Sequence, residues 1–342
     1  MPKPIVSINL VVLNGGKYIN HCLDSVARQT YDKDSFEINI LDNGSSDQTI
    51  KIAEEWKLKN NNLKISITKS SHNHGMWGGQ EELLKQSTGR YILFLSVDVI
   101  LDKNFVHNSV EIMEKDDKSG ALQAKVLQFY LNSGLPELGT KIDTCGFKIF
   151  RSRKVVNIGH GQEDLGQFDI PQEIFGTEGA APFFRIEALH SIKILGEIAD
   201  HDLFWYAEDL DVAWRLRMAG WKHLYNPASI AWHDRQTTKR TRSGIFDFIR
   251  IRRTIPLNKR RLEWRNIRCT IIKNDYTINI LKDCLYIVPR EMMMFLYLLV
   301  FETTVLTEVA TILRMLPRML RKREAIMGGC KTTPQQIHSY FS

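Results

Sequence analysis

The sequence predicts an α/β protein with a mixed, mostly parallel sheet, followed by a basic helical extension. Short apolar runs alternate with helical patterns up to Asp98, which is typical of parallel strands joined by helices. Polar residues follow three of those runs, as in sheets that bind ligands beyond the carboxyl ends of their strands. Basic residues are concentrated in the last third, where apolar residues recur at helical spacing.

The elements of the front part follow one another at short intervals. The predicted strands cover residues 6–13, 36–41, 63–68 and 91–95, and the predicted helices cover residues 17–28, 50–56 and a segment that follows the glycine loop 73–79 and ends at residue 86. Between residues 117 and 198 glycines are frequent, which predicts loops and short strands around a cleft.

Charge divides the chain into an acidic front and a basic tail. From Arg235 onward there are 21 Lys or Arg and 8 Asp or Glu, net +13, so the totals of 46 and 39 leave 25 and 31 before it, net −6. We therefore expect a first domain over residues 1–240 and an extension over residues 241–342. The basic tail needs an anionic partner: nucleic acid, lipid head groups or a phosphorylated substrate.

Several protein classes are disfavoured by what the sequence lacks. Its five cysteines are scattered without a C-x-x-C spacing, which argues against a disulfide framework and a structural zinc site and favours the cytosol. The first residues do not show the pattern of a secretory signal. A Walker A motif is missing, and the glycines of residues 73–79 do not have the dinucleotide-binding order, which argues against P-loop ATPases and nicotinamide enzymes.

Three polar residues follow predicted strands of the front part: Asn14, Asp42 and Asp98. Asp42 suits a hydrogen bond to a ribose or a base, and Asp98 suits a hard divalent cation. Each one singly is also an ordinary turn residue, so it is their shared position at one sheet edge that favours a binding site.

The stretch 204–221 contains the strongest candidate for chemistry. Glu208 and Asp209 precede a helical pattern, and the helix dipole favours negative charge at that end. An ionised Asp209 can accept a proton, while three aromatic residues before it, 204–206, can wall a pocket. The alternative is that these acids are helix caps. Asp211 and Arg215 are spaced to pair across one turn.

Three further positions have both a functional and a structural interpretation. Gly179 begins a run of small residues that lets a ligand approach the backbone, or packs strands closely. His233 ends a strand as a metal ligand or as a structural histidine. Arg240 and Arg242 either close over a diphosphate or belong to a solvated loop.

The tail from residue 245 is predicted to be helical, with apolar and cationic residues on the same helices. Such helices suit a membrane interface, and the apolar run 292–301 is too short to cross a bilayer. The alternative is a helical subdomain packed on the first domain. The tail contains no recognisable nucleic-acid module, so nucleic acid is not an expected partner.

In combination these motifs resemble family-2 glycosyltransferases with the GT-A fold, and most closely a bacterial rhamnosyltransferase-like branch. The resemblance covers about residues 5–235. The matching segments are residues 40–47, 73–80, 96–98, 161–169 and 208–215, with Gly220 and Trp221 after the last.

The resemblance implies an inverting transfer of a sugar from a nucleotide-diphosphate donor to a hydroxyl of a glycan acceptor. Asp209, with Glu208, would be the catalytic pair, and Asp98 and His233 would hold Mg²⁺ or Mn²⁺. The nucleotide sugar would contact Asn14, Asp42, Asn43, Gly75, Trp77, Ser96, Gly179 and Arg215. The donor is expected to be dTDP-rhamnose, or a UDP- or GDP-hexose.

The resemblance also implies a role in cell-surface polysaccharide synthesis, with a lipid-linked acceptor. The protein would then be cytoplasmic and peripheral on the inner face of the membrane, with its basic tail on the anionic surface. Two positions depart from the family pattern: Ser96 replaces an acid of the metal motif, and Gln80 replaces an asparagine. Ser96 favours the alternative of a degenerate nucleotide- or sugar-binding module.

Overall fold

A computed structural model describes residues 5–234 and 245–342, with the side chains of residues 245–248 left out. Its strands are β1 Val6–Val12, β2 Phe36–Asp42, β3 Ile65–Lys69, β4 Tyr91–Ser96, β5 Val99–Leu101, β6 Ser119–Asn132, β7 Leu135–Thr144, β8 Phe147–Ile149, β9 Val155–Asn157, β10 Gln172–Ile174, β11 Phe183–Arg185 and β12 Lys222–His233. Its helices are α1 Ile19–Ala27, α2 Thr49–Lys59, α3 Gly75–Leu84, α4 Phe105–Glu114, α5 Ile186–Ser191, α6 Glu208–Met218, α7 Ile245–Thr254, α8 Leu257–Asn274, α9 Thr277–Lys282, α10 Cys284–Phe301, α11 Thr303–Leu306, α12 Glu308–Gly328 and α13 Pro334–His338, with a short 3₁₀ turn at Lys33–Ser35.

The first domain is built on one large mixed sheet in the order β10-β12-β6-β11-β4-β1-β2-β3, with β5 on β12 and β7 on β6. Parallel pairing joins β4 to β1, β1 to β2, β2 to β3 and β6 to β12, whereas β11 lies antiparallel between β4 and β6. Every residue of β1, β2 and β4 is buried because helices cover both faces of the sheet. The prediction of an α/β protein with a mostly parallel sheet is confirmed.

The expectation of loops and short strands between residues 117 and 198 is wrong for its first part, because β6 is a strand of 14 residues. The glycine content was misleading here. Gly120 lies inside β6, where a Cβ atom would stand 2.7 Å from Cβ of Trp221, so this glycine serves close packing and not a loop.

The glycine-rich segment 73–79 is only partly a loop, since α3 begins at Gly75. A Cβ atom on Gly79 would lie 2.7 Å from Cγ1 of Val11. The absence of side chains therefore lets this helix approach β1 closely, which brings the segment against the ends of the central strands.

The tail packs on the first domain, as the alternative interpretation proposed. Phe341 pairs with Ile149 in an isolated bridge, and its ring lies 5.7 Å from that of Trp214 on α6. Lys273 of α8 is 1% exposed and pairs with Asp200 and Asp211 of the first domain. Arg318 and Lys322 also pair with acids of the first domain, whereas Arg252, Arg260, Arg261, Arg265, Arg268 and Arg290 pair with glutamates of the tail itself. The expected domain boundary near residue 240 lies outside the described residues, as do Arg240 and Arg242.

Helix α10 is longer than the apolar run 292–301 suggested. It has 18 residues with a mean hydropathy of 1.6, and only 11% of it is buried. By length and composition it is the one helix in residues 5–234 and 245–342 able to cross a membrane, so the expectation that this segment is too short was wrong. The run was underestimated because apolar residues also precede Arg290 and Glu291 on the same helix.

Candidate active site

The loops that follow β1 and β2 are joined at the carboxyl edge of the sheet. The backbone N–H of Asn14 donates to Oγ of Ser45 at 2.9 Å, and Oδ1 of Asn14 accepts from the backbone N–H of Ser46 at 2.8 Å. Oδ1 of Asp42 accepts from the N–H of Ser45 at 3.0 Å, and Asp42 is 5% exposed. Asn14 and Asp42 therefore both bind the turn at residues 45 and 46. These bonds are structural contacts of the kind that turn residues make.

Asn43 organises the glycine-rich segment. Its Nδ2 donates to Oδ1 of Asn73 at 2.8 Å and to the carbonyl of Gly75 at 3.1 Å, and its Oδ1 accepts from the N–H of His74 at 2.9 Å. Both ends of the Asn43 amide are therefore bonded to this segment. The structure favours a role in shaping the donor site over direct contact with a ligand.

Trp77 lies at the boundary between the core and a cavity. Its ring packs against Phe94 and Phe184 with centroid distances of 5.2 and 6.0 Å, and 7% of the residue is exposed. The adjoining cavity has a volume of about 540 Å³ and is also lined by Phe204 and Glu208. Trp77 can thus offer an edge to a bound molecule while most of its ring stabilises the core.

The structure brings the two predicted metal ligands together. Nε2 of His233, at the end of β12, lies 3.4 Å from Oδ2 of Asp98, which follows β4. Nδ1 of His233 lies 2.9 Å from Oδ2 of Asp143, a fully buried carboxylate at the end of β7. When Nδ1–H of His233 donates a hydrogen bond to Asp143, Nε2 is directed towards Asp98. Carboxylates orient histidine ligands in metal sites by the same kind of hydrogen bond.

The chemistry of these groups fits a divalent cation. Burial lowers the pKa of His233, but hydrogen bonds to Asp143 and Asp98 outweigh burial and raise it to about 10. The two carboxylates thus hold a positive charge on the imidazole, and a metal ion can replace the proton on Nε2. Asp98 and His233 would be two such ligands, and within the described residues no group of three His, Cys, Asp or Glu side chains suits a metal ion.

Asp143 was not identified from the sequence. It lies 45 residues beyond Asp98 and 90 before His233, a spacing that matches no local metal motif. Only the pairing of β7 with β6, and of β6 with β12, places this carboxylate behind the histidine.

The predicted catalytic pair occupies the first turn of α6, and the residue that caps this helix, Ala207, has a left-handed φ of 67°. Glu208 is buried, and this burial, with the charges of Asp209 and Asp211, raises its pKa to about 8. Glu208 is therefore mostly protonated at neutral pH. Asp209 is half-buried, and its Oδ1 accepts from the N–H of Leu210 at 2.8 Å.

A short segment connects Asp209 to the metal-motif strand. A Cβ atom built on Gly179 would lie 3.5 Å from Oδ2 of Asp209, so this glycine lies directly against the carboxylate. The next residue, Ala180, accepts a hydrogen bond through its carbonyl from the N–H of Ser96 at 3.0 Å. The candidate base and the strand that ends in Ser96 are thus linked through Gly179 and Ala180.

The assignment of Arg215 to donor binding is contradicted by its burial. Its guanidinium pairs with Asp211 at 2.9 Å, as the helical spacing predicted, and donates to the carbonyls of Ile192 and Ile198. Only 3% of Arg215 is exposed. Arg215 stabilises the buried Asp211 carboxylate, because a charge inside the protein requires such a partner.

Part of the sequence is similar to known glycosyltransferases. Residues 7–168 match the family model described as glycosyl transferase family 2. Glycosyltransferase AglE of Haloferax volcanii is 35% identical over 95 residues, which are 28% of this chain and 31% of that protein. Poly-β-1,6-N-acetyl-D-glucosamine synthase of Staphylococcus aureus is 25% identical over 231 residues, 66% of this chain and 49% of that protein. The chain thus matches less than half the length of these relatives.

Two solved structures share the fold. The mannosyltransferase PcManGT from Pyrobaculum calidifontis, in complex with GDP-Man and Mn²⁺, has a TM-score of 0.55 at 14% identity and covers 96% of this chain and 86% of its own. A fragment of TarS from Staphylococcus aureus, in complex with UDP, has a TM-score of 0.50 at 17% identity and covers 98% of this chain and 83% of its own. Identities this low support the shared architecture alone.

Proposed function

Because residues 7–168 match the family model of glycosyl transferase family 2, we propose that the protein belongs to that family and transfers a sugar from a nucleotide-diphosphate donor to a hydroxyl of a glycan acceptor. The observation that carries this proposal is the contact of Asp209 with Gly179, whose neighbour Ala180 bonds to the metal-motif strand. A candidate base and a candidate diphosphate site are thereby combined at one end of the sheet. The bound GDP-Man and UDP named for the structural neighbours support a nucleotide-sugar donor.

The residues divide the chemistry between them. Asp209 takes the proton of the acceptor hydroxyl, which attacks the sugar from the face opposite the departing nucleotide and inverts the configuration. Glu208, mostly protonated at neutral pH, leaves the negative charge of the pair on Asp209. Asp98 and His233 would hold Mg²⁺ or Mn²⁺, which supplies positive charge for the departing diphosphate when bound. Asp42 and the turn around it would hold the nucleoside.

The donor is proposed from the resemblance to the rhamnosyltransferase-like branch, which favours dTDP-rhamnose, with UDP- and GDP-hexoses as the alternatives. The test is release of nucleoside diphosphate from a panel of these donors, with and without Mn²⁺, in the presence of a lipid-linked acceptor extract. Asp209→Asn should lower the rate by roughly 10²- to 10⁴-fold, the usual contribution of a general base.

The matched control is Asp34→Asn. Asp34 is an exposed aspartate beside the amino end of β2, at the edge of the sheet opposite the candidate site. Equal rates for the two variants would show that Asp209 is not the base. Binding of a nucleotide without release from any donor would favour the second candidate function, a binding module. That candidate is supported by Ser96 and by the lack of three suitable metal ligands among the described residues.

We further propose that the acceptor is lipid-linked and that the protein binds the cytoplasmic face of the membrane through its tail. Helix α10 exposes large apolar side chains, among them Leu296 at 56% and Val300 at 68%. On α12, exposed Leu313 and Leu320 alternate with the exposed cations Arg314 and Arg321. This pattern of apolar and basic side chains suits the interface of an anionic bilayer.

The membrane proposal is tested by sedimentation with anionic vesicles at low salt. Leu296→Asp with Val300→Asp should reduce binding by about 10-fold or more, because charge replaces apolar surface on one face of α10. Leu58→Asp, at a residue 78% exposed on α2, is the control and should bind like the wild type. Unchanged binding of the α10 variant would exclude this helix as the membrane contact.

A further inference from the structure

The segment that leads into α6 has an unusual backbone. Three residues other than glycine have left-handed φ angles there: Phe204 at 57°, Tyr206 at 69° and Ala207 at 67°. Each such residue is less stable than in a right-handed conformation, because its Cβ atom comes too close to the following carbonyl oxygen. We refer to residues 203–207 as the approach loop. Because it ends directly before Glu208, its conformation determines where the first turn of α6 begins.

One side chain from the tail holds the approach loop. Asn266 of α8 is fully buried, and its Nδ2 donates to the carbonyls of Leu203, Trp205 and Tyr206 at 2.9, 2.7 and 2.8 Å. Nε of Arg265 donates to Oδ1 of Asn266 at 2.9 Å, which is consistent with the amide nitrogen facing the loop. The two hydrogens of this amide group are thus shared among three carbonyls of a strained segment.

Helix α8 also contacts α6 beyond the approach loop. Nδ2 of Asn274 donates to Oδ1 of Asp211 at 2.8 Å, and Nζ of Lys273 lies 2.9 Å from the same oxygen. Asp211 is fully buried one half-turn after Asp209. The tail therefore holds the base-bearing helix on both sides of Asp209.

The approach loop also lies against the donor side of the site. The carbonyl oxygen of Phe204 would stand 3.0 Å from a Cβ atom on Gly75, and the ring of Phe204 is within 3.5 Å of the same position. A shift of the approach loop would therefore move α6 relative to the glycine-rich segment 73–79, which contains the start of α3. These two segments have to keep their spacing if a donor and a base are to meet.

We propose that Asn266 is a positioning residue for the transfer reaction: it holds the approach loop in its left-handed conformation and thereby places Asp209. This inference rests on the proposed function, since Asp209 is the base only if the chain is a transferase. It also gives the tail a role in catalysis that does not depend on a membrane. Small displacements of a reacting group lower rates by up to about 10²-fold, which sets the expected effect.

The test compares Asn266→Ala with Asn279→Ala in the full-length protein. Asn279 is a matched control because it is 3% exposed, belongs to the tail and donates through Nδ2 to a carbonyl, that of Pro334, at 2.9 Å. We expect kcat to fall by roughly 10- to 100-fold in Asn266→Ala, with KM for the donor within about twofold of the wild type. Equal kcat values for the two variants would overturn the proposal.

Amide hydrogen exchange provides a readout that needs no activity. The N–H of Trp205 donates to the carbonyl of Leu203 at 2.7 Å, and the N–H of Asp211 donates to that of Ala207 at 3.0 Å. Both amides should exchange at least about 10-fold faster in Asn266→Ala and not in Asn279→Ala, because loss of the amide group loosens these turns. If no donor is ever turned over, the proposed function fails while this experiment still decides whether Asn266 holds the loop.

A second substitution separates positioning from a general loss of stability. Ala207→Gly removes the strain at one left-handed position, since glycine adopts positive φ freely. Added to Asn266→Ala, it should recover kcat by about 5- to 30-fold, the rate equivalent of the strain relieved. If Asn266→Ala does not fold, Asn266→Ser replaces it, because a hydroxyl can still donate to one carbonyl. No recovery by Ala207→Gly, together with unchanged exchange, would refute the role of Asn266.

Discussion

Replacing Glu208 with glutamine should stabilise the protein increasingly as the pH rises. Glu208 is 6% exposed, and burial is the main reason why the pKa of its carboxyl group is about 8 instead of the ordinary 4.5. A glutamine has nearly the same shape but never ionises. The substitution therefore removes the free-energy cost of placing a negative charge at this buried position beside Asp209.

The size and sign of the effect follow from the two pKa values. Because the folded protein binds this proton more tightly than the unfolded chain, the stabilisation from Glu208 is complete below pH 4.5 and is lost as the pH rises through about 8. The pKa values differ by 3.5, which corresponds to about 5 kcal/mol in total. Between pH 6 and pH 9 roughly 3 kcal/mol of this stabilisation is lost.

The assay is thermal unfolding of wild type and Glu208→Gln across this pH range. For a chain of 342 residues, an unfolding entropy of about 2.1 cal/mol/K per residue converts roughly 3 kcal/mol into about 4 °C. The difference in Tm between the two proteins should widen by that amount from pH 6 to pH 9. Glu82→Gln, at a glutamate 42% exposed and paired with Lys85, is the control and should show no widening. Parallel curves for Glu208→Gln would refute the argument that burial holds this proton.

Three further predictions concern residues that support the site. Asp143→Asn should weaken Mn²⁺ binding by about 10- to 100-fold, measured by titration calorimetry, because it removes the carboxylate that orients His233. Lys273→Met should lower the free energy of unfolding, measured by urea denaturation, by about 3–5 kcal/mol, because it leaves the buried carboxylates with one cation fewer. The control, Lys85→Met, removes an exposed ion pair and should change stability by less than about 1 kcal/mol. Phe341→Ala should cost about 3–5 kcal/mol by the same measurement, because the ring is 6% exposed against α6.

Each of these predictions has a result that contradicts it. Unchanged Mn²⁺ affinity in Asp143→Asn would mean that His233 does not need its buried partner. Similar urea curves for Lys273→Met and Lys85→Met would mean that the tail does not stabilise the first domain through its charges. A wild-type transition for Phe341→Ala would show that the end of the chain is not part of the core around Trp214.

The parallel strands were accessible from sequence because they are buried on both faces and therefore consist of continuous apolar runs. The predicted residues 6–13 became β1 Val6–Val12, and the predicted residues 91–95 became β4 Tyr91–Ser96. Strand β6 was missed because the frequent glycines between residues 146 and 179 suggested loops for the whole segment from residue 117, although β6 ends at Asn132. The sequence shows that a residue is a glycine, but only the residues packed around it show whether that glycine belongs to a loop or allows close packing, as Gly120 does in β6.

The same limit applies to the candidate site. Local spacing predicted the pair Asp211 and Arg215, since residues four apart meet on one helix face. It did not predict that this face is buried, which is why Arg215 was assigned to the donor and is instead bonded to the interior. Whether an arginine meets a ligand or a buried carboxylate depends on what packs against its helix.

By itself, the sequence determined what depends on neighbours along the chain: the alternation of strands and helices, the acids at the start of α6, and the polar residues at the strand ends. Only the tertiary structure decided which distant groups are partners, because such contacts depend on sheet order and helix packing. It placed Asp143 behind His233, Asn266 under the approach loop and Lys273 between two carboxylates of the first domain. Three cations of the basic tail, Lys273, Arg318 and Lys322, have their anionic partners in the first domain of the same chain, a pairing that the sequence could not show.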